Sequence, residues 1–306
     1  MQQRKALDLQ ASGLMIVLCM IWGIQQVVLK LAALDISPMM QIALRSGIAA
    51  ILVYPLIPKG TQLFNTAYLL PGIGLAVLFS AEFLLVAQAL SYTSAAHTVV
   101  LLYTAPIFVA SGLHWKLPDE QLKPLQWGGI AVAFMGIMIA FLAREGQSLS
   151  SQVLWGDFMA LGAGMMWALT TISLRLSKLS EAAPTQTLFY QLLGAFIFLL
   201  PIAYALGQTQ IHWSTLAIFS MLFHVLVMSL FSLMLWFWLL RKYLANGLGV
   251  FSFLTPVFGV LFGMLFLNET VEFNFIIGTI LVMFGVMLVS SGQWLLEKWQ
   301  KKTLKV

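Results

Sequence analysis

Two stretches of this chain, WGIQQVVLK at residues 22–30 and WALTTISLR at residues 167–175, each place a tryptophan eight positions before a basic residue. Both stretches lie in long apolar runs, and each is followed by a proline, Pro38 in the first case and Pro184 in the second. The offset between the copies is 145 or 146 residues at these positions. A period that persists along a chain determines the whole fold. The chain is therefore predicted to consist of two copies of one unit.

Composition indicates the environment of both copies. Hydrophobic residues make up 60% of the chain and charged residues only 9%, which excludes a soluble domain of this length. A bilayer span needs about 20 mainly apolar residues. Ten such segments lie near residues 11–33, 38–57, 67–90, 94–113, 124–143, 155–178, 184–206, 213–240, 246–267 and 273–292. We predict an all-α integral membrane protein whose ten transmembrane helices form two five-helix repeats, at residues 11–143 and 155–292.

The odd number of spans in each repeat determines how the copies are oriented. Five spans return the chain to the opposite side of the membrane, so the second repeat is predicted to be inverted relative to the first. Inverted repeats are typical of secondary transporters, because two similar halves can open a central cavity to one side and then to the other. The alternative is that duplication only supplied a stable bundle, as for a channel or a structural protein.

Charge sets the predicted orientation. If the N-terminus is cytoplasmic, most Lys and Arg residues flank the cytoplasmic ends of the spans, as the positive-inside rule requires. These residues are Arg4, Lys5, Lys59, Lys116, Lys123, Arg175, Lys178, Arg241, Lys242, Lys298, Lys301, Lys302 and Lys305. Only Lys30 and Arg144 flank the other side. We therefore expect both termini in the cytoplasm of a bacterium, with the chain in its inner membrane, and we assign the net charge of +5 to contact with anionic lipids rather than nucleic acid.

Several motifs resemble the EamA branch of the drug/metabolite transporter superfamily. They are Trp22-Gly23, Pro38 with Arg45, the stretch 89–96, Pro106, Asn268-Glu269-Thr270, Gly278 and Gly285. The resemblance covers nearly the whole chain and implies ten helices, two inverted five-helix repeats, cytoplasmic termini and a central substrate cavity. Several members of that family export amino acids or other small metabolites.

Polar residues inside the spans are the candidate substrate ligands, because ionisable groups in hydrocarbon are costly and usually face a cavity or a partner. Arg45, Glu82, Gln25, Gln26 and Tyr103 lie on four different spans. At about 1.5 Å per residue, Arg45 and Glu82 lie roughly 10–12 Å inside the outer boundary. We expect these groups to bind a zwitterion or a cation, with Glu82 carrying any proton coupling. The alternative is that Arg45 and Glu82 only neutralise each other.

The second repeat supplies further candidates. Gln191 corresponds to Arg45, and Thr171 corresponds to Gln26, so the second copy keeps hydrogen-bonding groups without the charges. Trp22 and Trp167 are each near the middle of a span, where they could stack on a substrate or wedge between helices. Tyr190 could extend an aromatic wall.

Four residues have proposed roles in coupling or motion. His224 is a second candidate for proton coupling, with a hydrogen bond between helices as the alternative. His97 is expected near the outer mouth. Pro106 and Pro256 occupy matching places in the two repeats, and proline interrupts helical hydrogen bonding. They are the predicted hinges.

The absence of catalytic motifs narrows the function. The sequence contains no Walker lysine loop, no HExxH and no nucleophile elbow, and four scattered histidines with one cysteine do not indicate a metal site. We expect no enzymatic activity and no cofactor or metal. The predicted function is a secondary carrier that exports small polar metabolites, chiefly amino acids, with a passive channel or a drug or toxic-cation efflux carrier as alternatives. An intramembrane enzyme is the remote alternative. The expected partners are the substrate and membrane lipids, and a monomer is expected, with a dimer as the alternative.

Overall fold

The computed structural model describes residues 8–116, 121–142, 151–243, 252 and 254–303, and within them the chain is helical. Four of the predicted flanking charges, Arg4, Lys5, Arg144 and Lys305, lie outside the described residues. The helices are α1 (Leu9–Leu31), α2 (Pro38–Val53), α3 (Thr66–Tyr92), α4 (Ala95–Leu102), α5 (Ala105–Lys116), α6 (Pro124–Leu142), α7 (Ser151–Leu176), α8 (Pro184–Ala205), α9 (Thr215–Leu222), a π-helical segment (Phe223–Ser232), α10 (Leu233–Lys242), α11 (Leu254–Leu267) and α12 (Phe273–Thr303).

Seven helices of the described part are long and apolar enough to cross a membrane, judged by length and composition. They are Leu9–Leu31, Pro38–Leu56, Thr66–Tyr92, Ala95–Lys116, Ser151–Leu176, Pro184–Ala205 and Thr215–Trp236. Three further helices are also apolar but shorter, namely Pro124–Ile139, Leu254–Leu267 and Phe273–Leu288. Each predicted apolar segment overlaps one of these helices. The prediction of a multi-pass helical membrane protein is confirmed, whereas ten spans in two inverted repeats remain a prediction.

Side chains that accept hydrogen bonds from backbone amides begin several of the helices. Asp8 accepts from Ala11 at the start of α1, and Ser94 accepts from His97 at the start of α4. Ser214 caps α9 in the same way. Such residues satisfy amides that have no partner within the helix. These three helices therefore start where the sequence changes from a short polar turn to an apolar run.

The fourth predicted span is interrupted. Helix α4 ends at Leu102 and α5 begins at Ala105, with Tyr103 and Thr104 forming a turn between them. Pro106 lacks an amide hydrogen, and its ring disfavours a helical carbonyl four residues earlier, at Leu102. The hydroxyl of Thr104 donates to the carbonyl of Leu101, which stabilises the turn. The break lies at the predicted hinge of the first repeat, whereas Pro256 lies near the start of α11.

The eighth predicted span contains an unexpected π-helical segment, Phe223–Ser232, between α9 and α10. The π-helix is rare. Where it occurs, it often lies at a functional site, because its wider turn changes the direction of side chains. His224 is the second residue of this segment and is fully buried. The hydroxyl of Ser229 donates to the carbonyl of His224, five residues earlier.

Contacts between the two halves occur in matching pairs. Helix α1 packs against α11, and the corresponding α7 packs against α4. Helix α3 contacts α7 and α8, and the eighth span contacts α1 and α2. Three further contacts join corresponding helices directly, namely α2 with α8, α4 with α11 and α6 with α12. Exchanging the spans of one half for those of the other therefore reproduces these contacts.

Glycines allow α6 and α12 to approach closely. A Cβ atom added at Gly136 would lie 2.6 Å from the carbonyl oxygen of Gly278 and 2.7 Å from the amide nitrogen of Val282. Gly128, on the same helix, has open space at this position. Small residues at such contacts let two backbones approach, which is how helices associate in lipid.

We predict that Gly136→Ala destabilises the fold, because its methyl group would clash with backbone atoms that cannot move aside. Overpacking of this kind costs about 1–3 kcal/mol. The apparent unfolding temperature of the purified protein in detergent should fall by several degrees. The matched control is Gly128→Ala, which should leave the unfolding temperature unchanged. Equal behaviour of the two variants would show that α6 and α12 do not pack through Gly136.

Candidate functional site

A buried arginine marks the centre of the bundle. Arg45 of α2 is only 4% exposed, and its guanidinium carbon lies 4.8 Å from the centre of the Phe83 ring on α3. Such cation–π contacts stabilise a desolvated cation. One guanidinium nitrogen, Nη1, is buried without a hydrogen-bond partner. Arg45 therefore keeps donor capacity in the middle of the protein.

Glu82 of α3 supplies the opposite charge close by. It is 6% exposed, and its charge interacts through space with that of Arg45. The two side chains do not form an ion pair within 4.0 Å, unlike Lys30 with Glu269. The alternative that they only neutralise each other therefore has no direct salt bridge to support it. The arrangement is a pair of buried, separated opposite charges.

An aromatic residue from each half adjoins this pair. Tyr103, in the turn between α4 and α5, lies near Glu82 and packs edge to face against Trp167 of α7, with ring centroids 5.2 Å apart. The hydroxyl of Tyr103 also lies beside that of Thr255 on α11. The broken fourth span thus brings a hydroxyl to the buried charges. Thr255 was not a candidate from sequence, because one threonine in an apolar span carries no distinguishing signal.

His224 and the glutamines of α1 complete the cluster on its other side. His224 lies close enough to Arg45 for an electrostatic interaction, and its ring lies beside the backbone of Gln25. Gln25 and Gln26 are each 3% exposed. The side-chain oxygen of Gln26 and Nε2 of His224 are buried without hydrogen-bond partners. Unsatisfied buried polar groups are rare in folded proteins and call for an explanation such as a ligand. We define Arg45, Glu82, Tyr103, His224, Gln25, Gln26 and Trp167 as the central cluster.

Two further aromatic candidates have polar groups that bond to other parts of the protein. Trp22 donates to the hydroxyl of Ser232 and packs edge to face against Trp236, within a cluster that joins α1 to α10. Tyr190 donates to the carbonyl of Leu63, in the turn between the second and third spans. Both polar groups are satisfied by the protein. Trp22 and Tyr190 therefore serve as contacts between helices in this structure.

The remaining second-half candidates are Thr171 and Gln191. The hydroxyl of Thr171 donates to the carbonyl of Trp167, one turn earlier on α7. Gln191 is partly buried on α8. Neither side chain has a recorded contact with Arg45 or Glu82, so their roles stay predictions.

At the predicted outer face, His97 links the two halves. Its Nδ1 lies 3.0 Å from Oδ1 of Asp157 on α7, and its ring stacks on Phe275 of α12 with centroids 3.9 Å apart. Asp157 also accepts a hydrogen bond from the hydroxyl of Thr93. Sequence reasoning missed Asp157, although a buried acid near the start of an apolar span was a usable signal.

A second link at this face joins a carboxylate to a helix from the other half. Glu269, after α11, accepts hydrogen bonds from the amides of Ala95 and Ala96 at the start of α4, at 2.7 and 3.1 Å. The same carboxylate forms an ion pair of 3.2 Å with Lys30 at the end of α1. Glu269 thereby caps α4, where it complements the positive end of the helix dipole.

The predicted inner face has its own link between the halves. The hydroxyl of Tyr243, after α10, donates to Oδ2 of Asp8 at 2.8 Å. Hydrogen bonds from the Ala11 amide and from Tyr243 lower the pKa of the Asp8 carboxyl group. Burial and the adjoining carboxylate raise the pKa of Tyr243. This carboxylate–hydroxyl bond holds α1 and α10 together.

Metal binding has no structural support within the described ranges, where no three His, Cys, Asp or Glu side chains are grouped to hold an ion. The central cluster instead offers one donor-rich cation, one carboxylate and several neutral polar atoms. This combination suits a small ligand that carries both charges.

Comparison with known proteins identifies the family. The EamA-like transporter family profile matches residues 10–142 and again residues 154–291. The uncharacterized transporter YoaV of Bacillus subtilis strain 168 is 24% identical over 272 residues, which are 88% of this chain and 92% of that protein. A probable amino-acid metabolite efflux pump of Escherichia coli K12 is 24% identical over 94% of this chain and 96% of its own.

Two further comparisons concern a shorter alignment and a solved fold. The threonine/homoserine exporter RhtA of Escherichia coli K12 is 27% identical over 175 residues, covering 55% of this chain and 57% of the exporter. A solved crystal structure with 16% identity aligns with a TM-score of 0.64 over 91% of this chain and 96% of that one. At this identity the likeness concerns the fold alone. Because the two profile matches cover most of its length, this multi-pass membrane protein belongs to the EamA-like transporter family.

Proposed function

We propose that this transporter is a secondary carrier that exports zwitterionic amino acids or closely related polar metabolites, and that they bind at the central cluster. The observation that carries the proposal is the separated pair of buried charges. Arg45 and Glu82 are almost fully buried, interact through space and make no direct ion pair. A zwitterion would supply both missing partners.

The proposed binding mode follows from the chemistry of the two side chains. The guanidinium of Arg45 has an unused Nη1 donor, and its planar fork matches a carboxylate. Glu82 can receive the substrate ammonium. Leaving a charged group buried without a partner costs several kcal/mol. A substrate that pairs with both groups therefore gains affinity from charges that the protein has already desolvated.

The relatives support the substrate class and the direction. Two of them are named as a probable amino-acid metabolite efflux pump and a threonine/homoserine exporter. Both names describe outward movement of amino acids. The central cluster is chemically compatible with such cargo, so we extend amino-acid export to this chain as a proposal.

Alternating access is the proposed mechanism. The paired contacts between the halves support two inverted repeats, which can exchange conformations across the membrane. The outer links at Glu269 and Asp157 would hold one side closed, while the break before Pro106 would absorb the movement. In this scheme Pro256 is the second hinge, and Glu82 carries any proton coupling. We also propose the bacterial inner membrane as the location, with cytoplasmic termini.

We predict that Arg45→Ala weakens amino-acid binding by roughly 10- to 100-fold, because a hydrogen bond to a charged group is worth about 1.5–3 kcal/mol. Glu82→Gln should weaken binding by a similar factor through the substrate ammonium. Binding is measured as thermal stabilisation of the purified protein by L-threonine and L-alanine. Counterflow of labelled L-threonine in proteoliposomes then reports transport.

Ser46→Ala is the matched control, since Ser46 is the buried neighbour of Arg45 and its hydroxyl donates to the carbonyl of Ile42. It should bind and transport like the wild type. Normal binding by both Arg45→Ala and Glu82→Gln would place the site elsewhere. A Glu82→Gln protein that transports with an unchanged pH dependence would remove the coupling role. Flux that rises linearly without counterflow would favour a channel.

We also predict that exchanging the charges of Lys30 and Glu269 does not restore function. Lys30→Glu with Glu269→Lys keeps an ion pair, but lysine cannot accept the amide hydrogens of Ala95 and Ala96. Its positive charge would also lie at the positive end of α4. The double variant should therefore remain as unstable and as slow in counterflow as Glu269→Lys alone. Full recovery in the double variant would show that the ion pair is all that matters.

A further inference from the structure

The two ring nitrogens of His224 have different surroundings. The ring is fully buried, and Nδ1 lies 2.8 Å from the carbonyl oxygen of Ser220, one turn earlier. Nε2 is buried without a hydrogen-bond partner. Which nitrogen carries the proton decides whether Nε2 donates or accepts a hydrogen bond. The neighbouring side chains determine which of the two nitrogens carries the proton.

Gln41 is the first residue of a relay that ends at His224. Its side-chain nitrogen lies 3.1 Å from the carbonyl oxygen of Leu29 and 2.7 Å from that of Ile36. Carbonyl oxygens only accept, so this end of the amide must be the NH₂ group. The amide oxygen therefore faces Ser220, whose hydroxyl donates to it at 2.6 Å.

The direction of the Ser220 hydroxyl hydrogen determines which group the imidazole of His224 faces. Its single hydroxyl hydrogen is already donated to Gln41, so toward Nδ1 of His224, 3.3 Å away, the hydroxyl presents only a lone pair. The carbonyl oxygen of Ser220 also accepts only. Nδ1 must therefore carry the hydrogen. A neutral imidazole has one such hydrogen, so Nε2 holds a lone pair and accepts.

The accepting nitrogen belongs to the central cluster. Because Nδ1 is bonded to the preceding turn of its own helix, Nε2 lies at the end of the ring that points away from that helix. Besides Ser220, the recorded neighbours of the ring include Arg45 of α2 and the backbone of Gln25 on α1. Among the residues that the structure describes, no carboxylate is recorded as interacting with the ring, whereas the cation of Arg45 is. An ammonium group would be repelled here, so a neutral donor fits this position better.

We propose that His224 is a specificity-determining residue that selects substrates with a hydroxyl group, which donates its hydrogen to Nε2. The inference rests on the proposed function, in which Arg45 holds the carboxylate and Glu82 the ammonium of the same substrate. The substrate class is thereby narrowed from amino acids to hydroxy amino acids. Gln41 and Ser220 are positioning residues, because they hold the proton on Nδ1.

Three probes separate the possible roles of Nε2. L-threonine carries a hydroxyl donor, and L-valine has nearly the same shape without it. O-methyl-L-serine carries an ether oxygen, which accepts but does not donate. Losing a hydrogen bond to a buried polar group reduces affinity by roughly tenfold. L-threonine should therefore bind about ten times more tightly than either analogue in thermal-shift titrations.

His224→Phe removes the acceptor but keeps a buried ring, and it should bring the threonine-to-valine affinity ratio close to one. The matched control is Ser229→Ala. Ser229 is a buried serine on the same π-helical segment, but its hydroxyl contacts the backbone of His224 rather than its ring. The control should keep the preference for threonine. Nitrogen-15 chemical shifts of labelled histidine, compared with those of His224→Phe, should report hydrogen on Nδ1 of His224.

Each contrary outcome has a definite meaning. Tight binding of O-methyl-L-serine, or hydrogen on Nε2, would overturn the accepting role. Equal affinities for L-threonine and L-valine, both lost in Arg45→Ala, would overturn the inference while leaving the proposed function in place. A lack of stabilisation by every amino acid in the panel would overturn both. If His224→Phe does not fold, the three affinities and the nitrogen shifts of the wild type decide the question.

Discussion

The hydrocarbon core offers no hydrogen-bond partners, and this constraint determines how the polar groups of the chain are arranged. Several hydroxyls in the spans donate to the carbonyl one turn earlier on their own helix, as those of Ser46, Ser80 and Thr170 do. Because such groups satisfy themselves, they provide no information about function. Against that background, the unpartnered atoms of Arg45, Gln26 and His224 are distinctive, since all three lie in one cluster.

Two departures from regular α-helix bring the cluster together. The turn at Tyr103 and Thr104 interrupts the fourth span, and the π-helical segment re-aims His224 in the eighth. A regular helix at either place would direct these side chains differently, because each turn fixes the direction of its residues. The backbone irregularities therefore lie at the proposed binding site, in one span from each half.

Links between the halves use backbone groups as well as charges. Glu269 accepts the amides at the start of α4 while it pairs with Lys30, and Asp157 binds Thr93 and His97. A carboxylate that satisfies helix amides gains more than a simple surface pair, because those amides lack partners within their helix. Carboxylates of the second half thus bind groups of the first half at these links. The charged residues of the central cluster, Arg45 and Glu82, both lie in the first half.

The repeated spacing of Trp22 and Trp167, the apolar composition and the distribution of Lys and Arg were enough to predict a multi-pass helical membrane protein, and its motifs resembled those of the EamA branch. Depth along the spans also suggested that Arg45, Glu82 and Tyr103 could meet, because residues per turn and span ends are readable from sequence. The rotation of each helix about its axis was not readable, since nearly every face of such a span is apolar. The sequence therefore could not show that Trp22 contacts a neighbouring helix while Trp167 belongs to the central cluster.

Only the tertiary structure decided which polar atoms find partners. The sequence determined that Arg45 and Glu82 lie in apolar spans, but their separation depends on how α2 and α3 pack. It determined that Gln41, Ser220 and His224 are polar, but the relay among them spans 183 positions of the chain, from residue 41 to residue 224. Hydrogen bonds have a range of about 3 Å, so their pattern depends on the folded positions of atoms rather than on their order in the chain.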